Sequence, residues 1–114
     1  MPLLKIQTNK PLDADTGKAL AAAASAVVAE MLGKPERYVM ISVEHNPAML
    51  FGGEDTPLAY LELKSIGLPE NRTAQFSATL ADLIEQQLGI PAERVYIEFA
   101  DALRHLWGWD GGTF

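Results

Sequence analysis

Hydrophobic positions recur with helical spacing in two stretches of the chain. From about Asp15 to Leu32, the residues Leu20, Ala23, Ala24, Val27, Val28 and Met31 fall on one face of a 3.6-residue period. Asp13, Asp15 or Thr16 is suited to cap the start, and Gly33 followed by Lys34-Pro35 stops the helix. From about Asn71 to Leu88, the residues Phe76, Thr79, Leu80, Leu83, Ile84 and Leu88 make a second stripe, closed by Gly89-Ile90-Pro91. One apolar stripe per helix predicts that each helix lies on a sheet.

Four other stretches alternate with period two, the signature of half-buried strands. Leu3–Thr8 turns Leu4 and Ile6 inward against Lys5 and Gln7. Tyr38–Glu44 turns Val39, Ile41 and Val43 inward, Leu58–Ser65 turns Leu61 and Leu63 inward, and Val95–Phe99 turns Val95, Ile97 and Phe99 inward. Short apolar pieces, Met49–Phe51 and His105–Trp107, follow the second and fourth strands and read as short edge strands.

The order strand–helix–strand occurs twice, and the residues repeat with it. Gly33-Lys34-Pro35-Glu36-Arg37-Tyr38-Val39-Met40-Ile41 aligns with Gly89-Ile90-Pro91-Ala92-Glu93-Arg94-Val95-Tyr96-Ile97, a shift of 89 − 33 = 56 residues. Nearly the same shift brings Pro2-Leu3-Leu4 onto Pro57-Leu58-Ala59 and Phe51-Gly52-Gly53 onto Trp107-Gly108-Trp109. The expectation is a single α+β domain over residues 1–114, a duplicated βαβ unit with pseudo-repeats of about 2–56 and 57–114. Its four-stranded mixed sheet carries two helices on one face, and each crossover is expected to be right-handed. The other sheet face holds Lys5, Gln7, Ser42, Glu44, Tyr60, Glu62, Lys64, Tyr96 and Glu98. Such a face is either solvated or enclosed by neighbouring subunits in a closed oligomer.

Composition narrows the function classes. Nine Lys and Arg stand against fifteen Asp and Glu, a net charge of −6, which argues against non-specific nucleic-acid binding, since that runs on Lys and Arg neutralising phosphates. The chain has no cysteine, which excludes disulfides, thiolate nucleophiles and cysteine-held metals by count. No apolar run approaches the roughly 18 residues of a membrane span. Met1-Pro2-Leu3-Leu4-Lys5 lacks the basic and then apolar regions of a secretory signal, so a cytoplasmic protein is expected.

The usual catalytic motifs are sparse. His45 and His105 stand without acidic residues at metal-ligand spacing and read as surface-loop residues, so no metal is expected. Gly52-Gly53 and Gly111-Gly112 lack the context of a phosphate loop, and Ser25, Ser42, Ser65 and Ser77 that of a nucleophile elbow. Leu106-Trp107-Gly108-Trp109 is either edge packing or the wall of a site for a flat apolar ligand. Proline at position 2 carries more chemistry. Methionine is generally trimmed before a small residue, and trimming here exposes a secondary amine at the start of the first strand. An α-amino group ordinarily titrates at about 7.7–8.0, and apolar surroundings disfavour its charged form, which makes a neutral prolyl nitrogen a candidate general base.

Pro2, Gly33-Lys34-Pro35 with Tyr38, Phe51-Gly52-Gly53, Ser65-Ile66-Gly67, Asn71-Arg72, Arg94-Val95-Tyr96-Ile97, Gly108-Trp109 and Thr113-Phe114 occur in an order spanning nearly the whole chain. In this the chain resembles the macrophage migration inhibitory factor family of the tautomerase superfamily. The resemblance implies a homotrimer whose three sheets form a central barrel, with the polar face lining a channel. It implies a cofactor-independent keto–enol tautomerase, an isomerase acting on phenylpyruvate-type aryl 2-oxo acids with Pro2 as the base. Lys34 and the backbone amide of Ile66 would hold the substrate's oxygens. Tyr96 would come from the adjacent subunit, and Tyr38, Trp109 and Phe114 would form an aromatic slot.

Two positions depart from the pattern. Glu98 stands where animal members commonly have asparagine; near the slot mouth its carboxylate would repel a carboxylate substrate or select one with a donor at its far end. Trp107 replaces a smaller aliphatic residue. The thiol–disulfide activity claimed for animal members depends on a CxxC, and the corresponding stretch here is Leu58-Ala59-Tyr60-Leu61. Two other readings fit the same residues. One is a trimeric module that binds a small aromatic acid or a protein without turnover. The other is a superfamily hydratase or decarboxylase, for which the chain has only Arg37, Arg72, Arg94 and Arg104 to contribute.

Overall fold

The alternation of the first segment becomes strand β1, Leu3–Thr8, in which Leu4, Ile6 and Thr8 are fully buried while Lys5 and Gln7 are half-buried. The computed structural model describes every residue from Met1 to Phe114. Helix α1 follows over Ala14–Leu32. Asp13 caps it, with a carboxylate oxygen accepting from the Thr16 amide at 2.7 Å, and Gly33 ends it at φ 64°. Strand β2, Met40–His45, completes the first unit, and β3 (Ala59–Ile66), α2 (Thr73–Leu88) and β4 (Val95–Ala102) repeat it.

The sheet order is β2-β1-β3-β4. β1 and β2 run parallel with Leu3 opposite Met40, and β3 and β4 run parallel with Ala59 opposite Val95. The halves meet in the middle, where β1 and β3 are antiparallel and set Leu4 beside Leu63 and Ile6 beside Leu61. The mixed sheet is therefore two parallel βαβ units joined back to back, as the repeat predicts.

Both helices turn their stripes to one sheet face. Leu20, Ala24 and Val28 of α1 and Phe76, Leu80, Leu83, Ile84 and Leu88 of α2 are buried against Leu4, Ile6, Leu61 and Leu63. Each of the Leu, Ile, Val and Phe side chains contributes roughly 1.5–3 kcal/mol through removal from water. Val39, Ile41, Val43, Val95, Ile97 and Phe99 pack on this core from the flanks, half-buried because their strands are at the sheet edges. Thr79 is exposed despite its place on the stripe. The one buried side-chain hydroxyl of β1, on Thr8, donates to the Leu58 carbonyl at 2.7 Å, and no buried side-chain nitrogen or oxygen lacks a partner.

The trailing pieces differ from expectation. Met49–Phe51 forms no strand; Phe51 makes a single bridge to Glu54 across Gly52-Gly53, both with positive φ. Arg104–Leu106 is a turn of 3-10 helix, and in place of an edge strand the chain forms a small separate hairpin of β5 (Gly108–Trp109) and β6 (Gly112–Thr113). Its tip needs positive φ at two successive residues, which Asp110 (52°) and Gly111 (77°) supply. The Asp-Gly pair signals this turn in the sequence. Short 3-10 turns also begin the strands: Glu36–Tyr38 delays β2 to Met40, and Ala92–Arg94 precedes β4.

Candidate functional site

Proline at position 2 has no N–H to contribute to a ladder, so it suits the first residue before a strand. Its carbonyl accepts from the Met40 amide at 2.9 Å, which pins the start of β1 to the start of β2, and the residue is fully buried. Beside it opens a cavity of about 440 Å³, within the usual range for small-molecule sites. Tyr38, at the end of the turn that feeds β2, makes one wall. Trp107, Trp109 and Phe114, carried by the C-terminal hairpin, make another.

The aromatic rings are packed on each other. Tyr38 meets Trp109 edge-on at 5.7 Å between centroids and Phe114 at 6.1 Å, while Trp109 and Phe114 stack at 5.3 Å with 13° between their planes. The Phe114 amide donates to the Trp107 carbonyl at 3.2 Å, which ties the chain's last residue to the hairpin base. A flat apolar group entering this cavity meets ring faces and edges already in position.

Lys34 follows the glycine that ends α1, and its ammonium donates to the Ile66 carbonyl at the end of β3, at 3.2 Å. Partial burial, and then the charges of Lys34 and Arg104, hold the α-amino group of Met1 below its ordinary range. With Met1 in place the Pro2 nitrogen is a tertiary amide without basicity; the same surroundings would act on a prolyl amine.

Tyr96 and Glu98 do not line this cavity in their own chain. Both project from β4 on the polar sheet face, where Tyr96 is 66% exposed and packs on Phe51 at 4.6 Å. Glu98 lies opposite Glu62, whose carboxylate accepts from the Tyr60 hydroxyl at 3.0 Å. Burial, the bond and charge of Glu62, and then the charge of Glu98 push the Tyr60 phenol above its usual value. The chain thus brings Pro2, Tyr38, Trp109 and Phe114 together and leaves Tyr96 and Glu98 apart from them.

Some residues were missed by the sequence reading. Met40 and Val39 line the cavity because the turn before β2 folds over it. Arg94 gathers the loop after β2: its guanidinium donates to the carbonyls of Phe51 (2.8 Å), Thr56 (2.8 Å), Glu54 (3.2 Å) and Pro57 (3.4 Å), and lies over the Phe51 ring. No local pattern announces such a contact, since its partners are backbone oxygens about forty residues away. A second depression, of about 390 Å³, lies between the helices and is lined by Val27, Met31, Arg72 and Phe76 among others. It does not include the amino terminus or the aromatic cluster. His45 donates through Nε2 to the Asn9 carbonyl oxygen at 3.2 Å at the sheet end, and His105 sits in the turn before the hairpin.

Known proteins resemble this chain in sequence and in fold. The family model described as macrophage migration inhibitory factor (MIF) matches residues 1–114. The chain belongs to the macrophage migration inhibitory factor family. Among relatives, the MIF homolog of Brugia malayi is 42% identical over 115 residues, covering 100% of this chain and 99% of that one. The MIF of Xenopus laevis is 36% identical, with 100% and 99% covered. The crystal structure of the MIF homologue from Prochlorococcus marinus superposes with a TM-score of 0.92 at 47% identity, covering 98% of each chain. The Trichinella spiralis MIF structure gives 0.90 at 33% identity. The two-helix, four-stranded mixed-sheet architecture is thus the MIF fold of the tautomerase superfamily. No helix is long and apolar enough to cross a membrane.

Proposed function

We propose that this MIF-family protein is a cofactor-independent keto–enol tautomerase of phenylpyruvate-type aryl 2-oxo acids, with Pro2 as its base once Met1 is removed. The observation that carries the reading is the meeting of a buried residue 2 with the ring cluster of Tyr38, Trp109 and Phe114 at one cavity. The aryl ring of the substrate occupies the aromatic slot, with its C3 directed at the prolyl nitrogen. That nitrogen takes the C3 proton, the C–H electron pair becomes the C2=C3 bond, and the carbonyl pair moves to oxygen. The proton then passes from the prolinium to the enolate oxygen, so the base is regenerated and no atom is gained or lost. Lys34 and the Ile66 amide stabilise the charge that develops on oxygen. The apolar walls keep the amine neutral at neutral pH. The step needs no metal or organic cofactor.

The reading includes a homotrimer, in which Tyr96 and Glu98 of one subunit reach the Pro2 cavity of the next. It is supported by the exposure of large apolar side chains: Leu106 at 72%, Leu50 at 68% and Met40 at 65%. Glu98 at the slot mouth then favours substrates with a donor on the far end of the ring, such as a phenol.

The test is ultraviolet-monitored ketonisation of enol phenylpyruvate, with protein whose intact mass confirms loss of Met1 and with Pro2→Gly alongside. Turnover that collapses in Pro2→Gly is the expected result. Absence of turnover in trimmed, trimeric protein overturns the reading in favour of a binding module.

A further inference from the structure

Arg37 lines the Pro2 cavity, and no other cationic side chain does. It stands at the centre of the turn Glu36–Tyr38, with its guanidinium carbon 4.7 Å from the Tyr38 ring centroid. Contact of that kind holds the head group against a ring that itself touches Trp109 and Phe114. Lys34 does not line the cavity, and its ammonium is engaged with the Ile66 carbonyl at 3.2 Å. Lys34 and Arg104 nevertheless exert their charge on the amino terminus at the same cavity.

One of the chain's nine Lys and Arg, Arg37, therefore lines this apolar cavity, in a molecule of net charge −6, and the charges of Lys34 and Arg104 act on the amino terminus beside it. At the protein surface as a whole an anion is repelled. Within a Debye length, about 8 Å at physiological salt, the local cations decide instead. A single carboxylate is satisfied by Lys34 and the Ile66 amide under the tautomerase reading, which leaves Arg37 unused by a monoanionic substrate. The guanidinium is a planar fork of N–H donors that matches a carboxylate, and the aromatic walls of the cavity it shares with Pro2 suit a ring that bears a second acid group.

We propose that Arg37 is a specificity residue of this site and that it selects aryl acids carrying a second carboxylate on the ring. The proposal deepens the tautomerase reading and rests on it for the placement of the ligand in the cavity, but not for the chemistry. Both tryptophans of the chain, Trp107 and Trp109, line that cavity, so intrinsic fluorescence reports on its occupancy.

The experiment is a fluorescence titration of the intact protein with cinnamate and with 4-carboxycinnamate, neither of which can tautomerise, for wild type, Arg37→Gln and Arg37→Lys. The expected result is about tenfold tighter binding of 4-carboxycinnamate by wild type, the scale of one additional charge-assisted contact. That preference falls to near unity in Arg37→Gln and is partly kept in Arg37→Lys. Equal affinities in wild type, a preference undiminished in Arg37→Gln, or no binding of either compound would overturn the proposal. Ketonisation of enol phenylpyruvate, run in parallel, separates the two claims. Turnover without a dicarboxylate preference removes Arg37 alone, whereas an Arg37-dependent preference without turnover keeps Arg37 and removes the tautomerase.

Discussion

The ammonium of Lys34 donates to the carbonyl oxygen of Ile66 at 3.2 Å, joining the second residue past α1 to the last residue of β3. The bond links the two sequence halves beside the amino terminus, whose titration Lys34 depresses. Under the proposed function the same ammonium holds a substrate oxygen. Lys34→Gln is then expected to lower kcat/KM for enol phenylpyruvate by about ten- to a hundredfold, the range of a lost charge-assisted hydrogen bond. The loss should appear in kcat as well as in KM, as measured by initial rates over a range of substrate concentrations.

The α-amino group of Met1 is held below its ordinary value by burial first and by Lys34 and Arg104 next. Between that lowered pKa and the unfolded value of about 8, the unfolded chain binds more protons than the folded one. Stability therefore rises with pH across that window and levels off above it. Urea unfolding of Met1-bearing protein between pH 6 and pH 9, about the reference range of this group, should show the rise. An Nα-acetylated chain should lose this contribution.

Arg94 spans four backbone carbonyls between Phe51 and Pro57 with one planar head group. A lysine keeps the charge and cannot reproduce the fork. Arg94→Lys is expected to cost about 1–2 kcal/mol in chemical denaturation. Faster hydrogen exchange at the Phe51 and Glu54 amides, which bond each other's carbonyls at 3.0 and 3.1 Å, would locate the loss in that loop. Unchanged protection there would show that the loop holds itself.

Two glycines in or beside α1 should respond in opposite directions. Gly17 lies within the helix, with no positive φ and open space where a Cβ would stand. Gly17→Ala is expected to stabilise by about 0.5–1 kcal/mol through helix propensity and a more restricted unfolded chain. Gly33 has φ 64° at the helix end, where a Cβ is strained whatever the space around it. Gly33→Ala is expected to destabilise by about 1–2 kcal/mol. Thermal melts of the two variants check both signs.

Much of the architecture was legible locally. Leu4, Ile6, Leu61 and Leu63 alternate with polar residues, and Leu20, Ala24 and Val28 recur at helical spacing, so their periods alone assign strand, helix and buried face. Asp13 and Gly33 mark the ends of α1 by chemistry that acts within one turn. The Asp110-Gly111 turn was equally readable, but the apolar residues before it drew the edge strand to His105–Trp107, a stretch that instead holds a 3-10 turn. Pro2 and Trp109 stand out by their own chemistry and Tyr38 and Phe114 through family resemblance; nothing in their spacing tells that they meet.

The sequence by itself determined the two βαβ units, their apolar faces and the absence of thiol chemistry, because those follow from residue type and from periods of two and 3.6. Only the tertiary structure decided that Met40 joins Pro2, that the C-terminal hairpin closes against Tyr38, that Arg37 faces the same cavity, and that Arg94 collects the loop after β2. Those relationships connect residues tens of positions apart through backbone hydrogen bonds and ring packing. The Pro2–Met40 bond comes with the parallel pairing of β1 and β2, and the contacts between the halves come with the antiparallel pairing of β1 and β3 that brings the two units into one sheet.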